Sequence, residues 1–339
     1  MTQRLPTQGE SPWGTVLNGF LLVGLGTDGQ LKAIQAVNVK DPEYGAVGDG
    51  TTNDTAAILE AVATGAPLIF VPPGTYRMTS GITLTTAQTI VGAGFPGSAD
   101  NDIASVLMHD FSGDFITLTG TNGTNDLGTG GGLANLQLLQ ANGNGSGASG
   151  TAIKFIAGSS TFFPARTRID SVQIETGNGV NSWTYCLRAD GTLDTTHGIT
   201  DLYVSRSRFV GDTNATAAIL LENGRNIHIF ECQLTGVNAH LNVTGGPAAN
   251  QFSSSVNITG VSGANLVVAK ATNVIVSAGS FVNLSMTSDT SYSSFFPGIL
   301  DNLPTMTGTN NVMGSLIRSS GNYELKTSTG VVKINGVTQ

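Results

Sequence analysis

Two sets of short segments alternate down the middle of the chain and restrict it to a repetitive architecture. The first reads Leu133-Ala-Asn-Leu-Gln-Leu138, Ile169-Asp-Ser-Val-Gln-Ile174, Ile199-Thr-Asp-Leu-Tyr-Val204, Gly224-Arg-Asn-Ile-His-Ile229 and Ser253-Ser-Ser-Val-Asn-Ile258. Each places an apolar residue, two others, then apolar, polar, apolar, with Gly and Ser opening the last two. The second set falls between them: Ala152-Ile-Lys-Phe-Ile-Ala157, Tyr185-Cys-Leu-Arg-Ala189, Ala218-Ile-Leu-Leu-Glu222, Ala239-His-Leu-Asn-Val243 and Ala264-Asn-Leu-Val-Val268. A spacing of roughly 17 to 35 residues is that of a solenoid, whose units bury their apolar faces only by stacking. Each coil therefore carries at least two strands joined by Gly/Asn/Thr turns, with alternate side chains pointing in and out.

Composition agrees with an all-β chain. Of 339 residues, 45 are Gly and only 11% are charged, which suits many short strands and turns. The net charge of −8 argues against a nucleic-acid surface. The longest early apolar run, Phe20 to Leu25, is far short of the roughly 20 residues a membrane span needs. No apolar leader follows Met1, so no secretion signal is expected. Cys186 and Cys232 make no disulfide framework and read as small buried residues.

Residues 41–76 are the most motif-rich stretch. Gly45, Gly48 and Gly50 punctuate a tight loop. Thr52, Asn53 and Asp54 offer N-cap oxygens to a helix whose stripe is Ile58, Ala61 and Val62, with Gly65 as its stop. Leu68 to Val71 is a short buried strand closed by Pro72-Pro73-Gly74. The blocks Tyr44-Gly-Ala-Val-Gly-Asp-Gly50, Asn53-Asp-Thr-Ala-Ala-Ile58 and Val71-Pro-Pro-Gly-Thr-Tyr76 resemble, in order and spacing, the opening of the pectate-lyase-like superfamily. The resemblance implies a right-handed parallel β-helix, with this segment capping its open end. It implies little about chemistry, because that superfamily holds lyases, hydrolases, phage tailspikes and inactive structural members.

Three regions are expected. Residues 1–39 precede the cap; Val16, Leu17, Phe20 and Leu21 form one helical stripe, and the pattern Leu5-Pro…Pro12-Trp13-Gly-x-x-Leu17-Asn…Asp28-Gly-x-Leu-Lys32 resembles the N-terminal segment of phage tail proteins. That resemblance implies virion attachment through Pro12, Trp13, Leu17 and Phe20, with other tail proteins as partners. Residues 40–284 form the capped β-helix. Residues 285–339 break the repeat with Phe295-Phe-Pro-Gly298 and Leu303-Pro304, and read as a small β-module that caps or trimerises the solenoid.

The repeat register places Gln137, Gln173, Tyr203, His228 and Asn257 at the middle outward position of successive coils. Stacked about 4.8 Å apart, they would form a polar and aromatic stripe suited to a glycan. Catalysis is harder to place, since glycoside hydrolysis usually needs two carboxyl groups about 5–10 Å apart. Glu175 and Asp201 lie in adjacent coils, yet four positions apart along the aligned strand, roughly 13 Å. Asp190, Asp194 and His197 read as turn residues. Arg206 and Arg208 follow a coil strand but fit no lyase motif, and Gly92-Ala-Gly-Phe-Pro-Gly97 opens no helix. The four His residues have no metal-ligand spacing, so neither metal nor cofactor is expected.

The expectation is a homotrimeric phage tailspike or tail-fibre-like virion protein, made in the host cytoplasm, that binds host surface polysaccharide. The alternative is a polysaccharide depolymerase, hydrolase or lyase.

Overall fold

The computed structural model describes residues 36–290, except 85–86, 96–103, 120–130, 142–149, 157–165, 176–182, 193–197, 212–214, 237–239, 247–251 and 288–289, and beyond Thr290 the backbones of seven strands. Pro12, Trp13, Leu17 and Phe20 lie outside the described residues. The chain winds as a parallel β-helix. Strands of successive coils pair in register, as in Arg168↔Gly132, Arg168↔Tyr203, Tyr203↔His228, His228↔Asn257 and Asn257↔Ile275. Coil length varies along the axis: register partners are 21 apart at Leu68 and Thr89, 43 at Thr89 and Gly132, 35 at Arg168 and Tyr203, 25 at Tyr203 and His228, 29 at His228 and Asn257, and 18 at Asn257 and Ile275.

A full coil has four faces. Face I begins with Ile199–Thr200 and continues through the first residues of Gly224–Phe230, Ser253–Thr259 and Ala271–Ser277. Face II stacks Leu68–Val71, Thr89–Gly92, the first halves of Gly132–Gln140 and Arg168–Glu175, Tyr203–Ser205, and the ends of those three long strands. Face III holds Gly74–Met78, Ser105–His109, the second halves of Gly132–Gln140 and Arg168–Glu175, Arg208–Gly211 and Gln233–Gly236. Face IV runs Ile116–Thr119, Thr151–Ile156, Tyr185–Asp190, Ala217–Glu222, His240–Thr244 and on into Ser262–Val268 and Ser280–Met286.

The repeated hexad turns out to be a corner. Its third residue is left-handed in every copy: Asn135 (φ 54°), Ser171 (54°), Asp201 (52°), Asn226 (52°) and Ser255 (54°). One left-handed residue redirects the strand, so the first, fourth and sixth residues all point inward. Leu133, Leu136, Leu138, Ile169, Val172 and Ile174 are accordingly fully buried, as are Ile227, Ile229, Val256 and Ile258. Asn and Asp tolerate this conformation best among residues with a Cβ. The buried residues of all coils join into one continuous apolar core, and Cys186 and Cys232 are free thiols within it.

The cap forms as its motif predicts, with one change in role. The helix spans Thr55–Ala63 and buries Ile58, Ala61 and Val62, and Gly65 follows at φ +70°. Asp54 precedes the helix but makes no side-chain cap bond. Its carboxylate instead accepts the backbone N–H groups of Val47 (2.7 Å) and Gly48 (3.1 Å), which ties the glycine loop to the helix start. Asn53 Oδ1 accepts from the Thr55 N–H at 3.1 Å and from its hydroxyl at 2.6 Å. Gly48, at φ +70°, lies against the Tyr76 ring, where an added Cβ would sit 2.9 Å from ring carbons. Tyr76 is buried and donates to the Pro72 carbonyl at 2.8 Å.

At the far end, parallel pairing runs past the expected boundary at 284, through Ser294–Phe296 and Ile299–Leu300 to the Leu300↔Ile317 pair. The pattern then changes. Leu316–Ser319, Asn322–Thr327 and Gly330–Ile334 pair antiparallel. No helix among the described residues is long and apolar enough to cross a membrane.

Candidate functional site

The five residues expected in one stripe occupy two faces. Gln137 and Gln173 follow the corner between faces II and III, so they pair with each other and then with Arg208 and Gln233 on face III. Tyr203, His228 and Asn257 follow the corner between faces I and II, and pair in that order on face II behind Arg168. The same hexad thus sits at two different corners. Alignment by hexad slips one corner where the extra strand Ile199–Thr200 enters the coil.

On face III the glutamines are covered: Gln137 is 4% and Gln173 6% exposed. Their amides serve the Glu175 carboxylate, Gln137 Nε2 donating at 3.0 Å and Gln173 Nε2 to the other oxygen. Arg208 Nη1 lies 3.5 Å from Glu175. Trp183 Nε1 donates to the Glu175 carbonyl at 3.1 Å. Glu175 is thus the hub of a polar cluster whose amides are buried and whose Glu175 and Arg208 side chains reach solvent.

Face II is open. The Tyr203 and His228 rings stack with centroids 4.8 Å apart and planes 4° from parallel. His228 Nε2 lies 3.0 Å from Asn226 Oδ1, and its Nδ1 is 3.5 Å from Asn257 Nδ2. Asn226 in turn donates to Asp201. Beside this row, Asp170 accepts from the Ser205 hydroxyl at 2.6 Å and from Arg206. Both rings are partly exposed, so a stacked aromatic pair and amides run along one outer face of adjacent coils.

Glu175 and Asp201 are not brought together. One lies on face III among the glutamines, the other at the corner between faces I and II, bound by Asn226. A carboxylate pair does occur on face IV, where it was not expected. Asp190 ends the strand Tyr185–Asp190 and is the register partner of Glu222 in the next coil. Arg188 bridges them, its Nη2 3.1 Å from Asp190 and its Nε 2.7 Å from Glu222, and it lies 5.6 Å from the centre of the Tyr185 ring. The second segment set paired Tyr185 with Ala218, one residue off the observed Tyr185↔Ala217 register, which put Asp190 opposite Asn223 and hid the pair. Face IV also holds the Lys154–Asp114 ion pair at 2.7 Å. Burial opposes the Asp114 charge, yet the hydrogen bond from Lys154 and the Thr151 N–H keep its carboxyl below the usual range.

His109 belongs to the interior. It packs against Phe111, Phe115 and Trp183 at centroid distances of 4.0, 5.1 and 4.6 Å, and its Nε2 lies 3.1 Å from the Gly113 carbonyl. Burial pushes its imidazole down to about 4, so the ring is neutral near pH 7. No His, Cys, Asp and Glu group among the described residues forms a metal-binding cluster.

The A-module of the mannuronan C-5 epimerase AlgE4 of Azotobacter vinelandii superposes with a TM-score of 0.48 at 15% identity, covering 84% of this chain and 98% of that one. The ORF18 protein of Geobacillus virus E2 gives 0.45 at 15% identity, covering 95% and 69%. The phiAB6 tailspike, solved with oligosaccharides of an Acinetobacter baumannii surface polysaccharide, gives 0.38 at 14% identity, covering 89% and 57%. No curated protein matches the sequence. The family model described as rhamnogalacturonase A/epimerase, pectate lyase-like, matches residues 36–288. That stretch takes in the cap and nearly every coil described above, and the chain belongs to this pectate lyase-like family.

Proposed function

We propose that the protein is a tailspike-like virion component that binds host surface polysaccharide, with the row Tyr203–His228–Asn257 as its contact surface. The observation that carries this is the stacked Tyr203–His228 pair on the outer face of adjacent coils. Two stacked rings offer a sugar a rigid aromatic edge, while the Tyr203 hydroxyl and the Asn257 amide reach its hydroxyls. Gln137 and Gln173 enter only through Glu175, since they are buried. In this reading residues 1–39, with Pro12, Trp13, Leu17 and Phe20, attach the protein to other tail proteins. The antiparallel strands at the C-terminus join three copies.

The Asp190–Glu222 pair favours a second reading, a depolymerase. Register partners sit about 4.8 Å apart at the backbone, near the carboxyl separation of retaining glycosidases, about 5–5.5 Å. Both carboxylates are engaged by Arg188, and neither is free to deliver a proton to a leaving group. Binding without cleavage is therefore the preferred reading.

Incubating the full-length protein with a panel of bacterial surface polysaccharides separates the two. Retention on a glycan whose chain length stays constant supports binding. Shortened chains that disappear in an Asp190→Asn, Glu222→Gln variant support the second reading. Retention on no glycan rejects both.

A further inference from the structure

Downstream of the ion-paired residues, face IV becomes uncharged. Here it carries a cleft of about 370 Å³ lined by His240, Asn242, Asn265, Val267, Asn283 and Ser285. The size is within the usual range for small-ligand sites, about 300–1,000 Å³. His240, Asn265 and Asn283 are stacked register partners in three successive coils. Asn283 donates its amide N–H to Asn265 Oδ1, which turns Asn265 Nδ2 toward His240 Nδ1 at 2.5 Å. The ladder fixes the His240 tautomer: Nδ1 accepts, so Nε2 carries the hydrogen. Burial lowers the His240 imidazole from its ordinary value, which keeps the ring neutral near pH 7.

Asn242 lies two residues along the same strand, so its side chain leaves the same face about 7 Å away. Its Oδ1 is buried and has no hydrogen-bond partner among the described residues. An acceptor in that state is costly unless something donates to it. The cleft thus offers a neutral N–H donor, an unmatched carbonyl acceptor and amides, beside the Leu266 and Val267 positions. No residue lining it carries a full charge. The ionic groups of this face, Lys154 with Asp114 and Arg188 with Asp190 and Glu222, lie in earlier coils and are paired there.

We infer that this cleft is a second saccharide site, separate from the Tyr203–His228 row, that takes one uncharged hexose unit through His240 Nε2–H and Asn242 Oδ1. A sugar presents hydroxyls that both donate and accept, which this donor–acceptor pair can satisfy together. A carboxylate or phosphate would meet the Asn242 acceptor with nothing to give it.

The test is a titration of the full-length protein followed by the ring-proton signals of its four histidines. The probes are the methyl glycosides of glucose, galactose, mannose and N-acetylglucosamine, with methyl glucuronide as the charged control. At least one neutral glycoside is expected to move the His240 signal saturably, leaving His109 in place, while the glucuronide does not. Asn242→Leu is expected to weaken that response about tenfold, the effect of one buried hydrogen bond with its unmatched partner. Tyr203→Ala is expected to leave it intact, which separates this site from the face II row. A His240 signal unmoved by all four neutral glycosides, moved by the glucuronide alone, or equally responsive in Asn242→Leu overturns the inference. If glycan retention fails in Tyr203→Ala while the His240 response persists, the two sites stand independently.

Discussion

The cap and the coil faces were built under different constraints. In the cap, residue identity is dictated by backbone contact. Gly48 has a ring against its α-carbon, Gly74 sits where an added Cβ would lie 2.7 Å from the Gly48 carbonyl oxygen, and Asp54 holds two loop N–H groups. Each position admits few residue types, so the stretch carries a motif. On the coil faces only the inward positions are constrained. Outward positions accept whatever suits solvent or ligand, and Gln, Tyr, His and Asn occupy equivalent places after a corner. The cap therefore reports the fold, and the faces report function with little sequence grammar to announce it.

The sharpest break between the regions should come from Gly48→Ala. Its Cβ meets the Tyr76 ring and its backbone is left-handed, which together cost about 3 kcal/mol. A substitution of similar size at outward Tyr203 should cost less than about 1 kcal/mol of stability, since mainly the ring stack is lost. Denaturant melts of both variants measure the contrast; equal losses would erase it.

Acid should next distinguish the interior from the faces. The His109 imidazole falls from an ordinary value near 6.5 to about 4 in the fold. A depressed histidine binds fewer protons folded than unfolded, so its contribution is complete above about pH 6.5 and is lost as pH falls toward 4. For a group this buried the loss is about 3 kcal/mol. Melting temperature should drop across that window in the parent and much less in His109→Phe, which keeps the aromatic cluster. Parallel pH profiles would remove His109 from the account.

The register of the faces can be probed covalently. Tyr203→Cys with His228→Cys places two thiols on adjacent coils of face II, about 4.8 Å apart at the backbone and within disulfide range. Gln173→Cys with Tyr203→Cys places them on different faces. Oxidation should link the first pair and not the second. Cys186 and Cys232 should not interfere, because burial pushes their thiols up to about 12 and about 11. Ready linkage of the second pair would restore the single stripe expected from hexad alignment.

Much of this was legible in the residues. The helix stripe Ile58, Ala61 and Val62, the strand Leu68–Val71 and the alternating coil segments all appear where the sequence places them. The site was less legible for a specific reason. A left-handed third residue at Asn135, Ser171, Asp201, Asn226 or Ser255 turns the strand without altering the apolar pattern around it. Period alone therefore cannot say which corner a hexad makes, and the row splits where Ile199–Thr200 adds a face. Asp190 was missed for a related reason: it ends a strand whose next residues are Gly191 and Thr192, so it reads as a turn. The cleft at His240 depends on residues from three coils and has no local signature.

The central claim is that stacked rings on face II hold a glycan. Its most direct measurement is retention of the parent and of the Tyr203→Ala, His228→Ala variant on the same polysaccharide panel, with equal folding checked by melting. The account predicts that the parent binds at least one polysaccharide and that the variant loses at least about tenfold in affinity, about 1.4 kcal/mol. A variant that binds as tightly as the parent would contradict it.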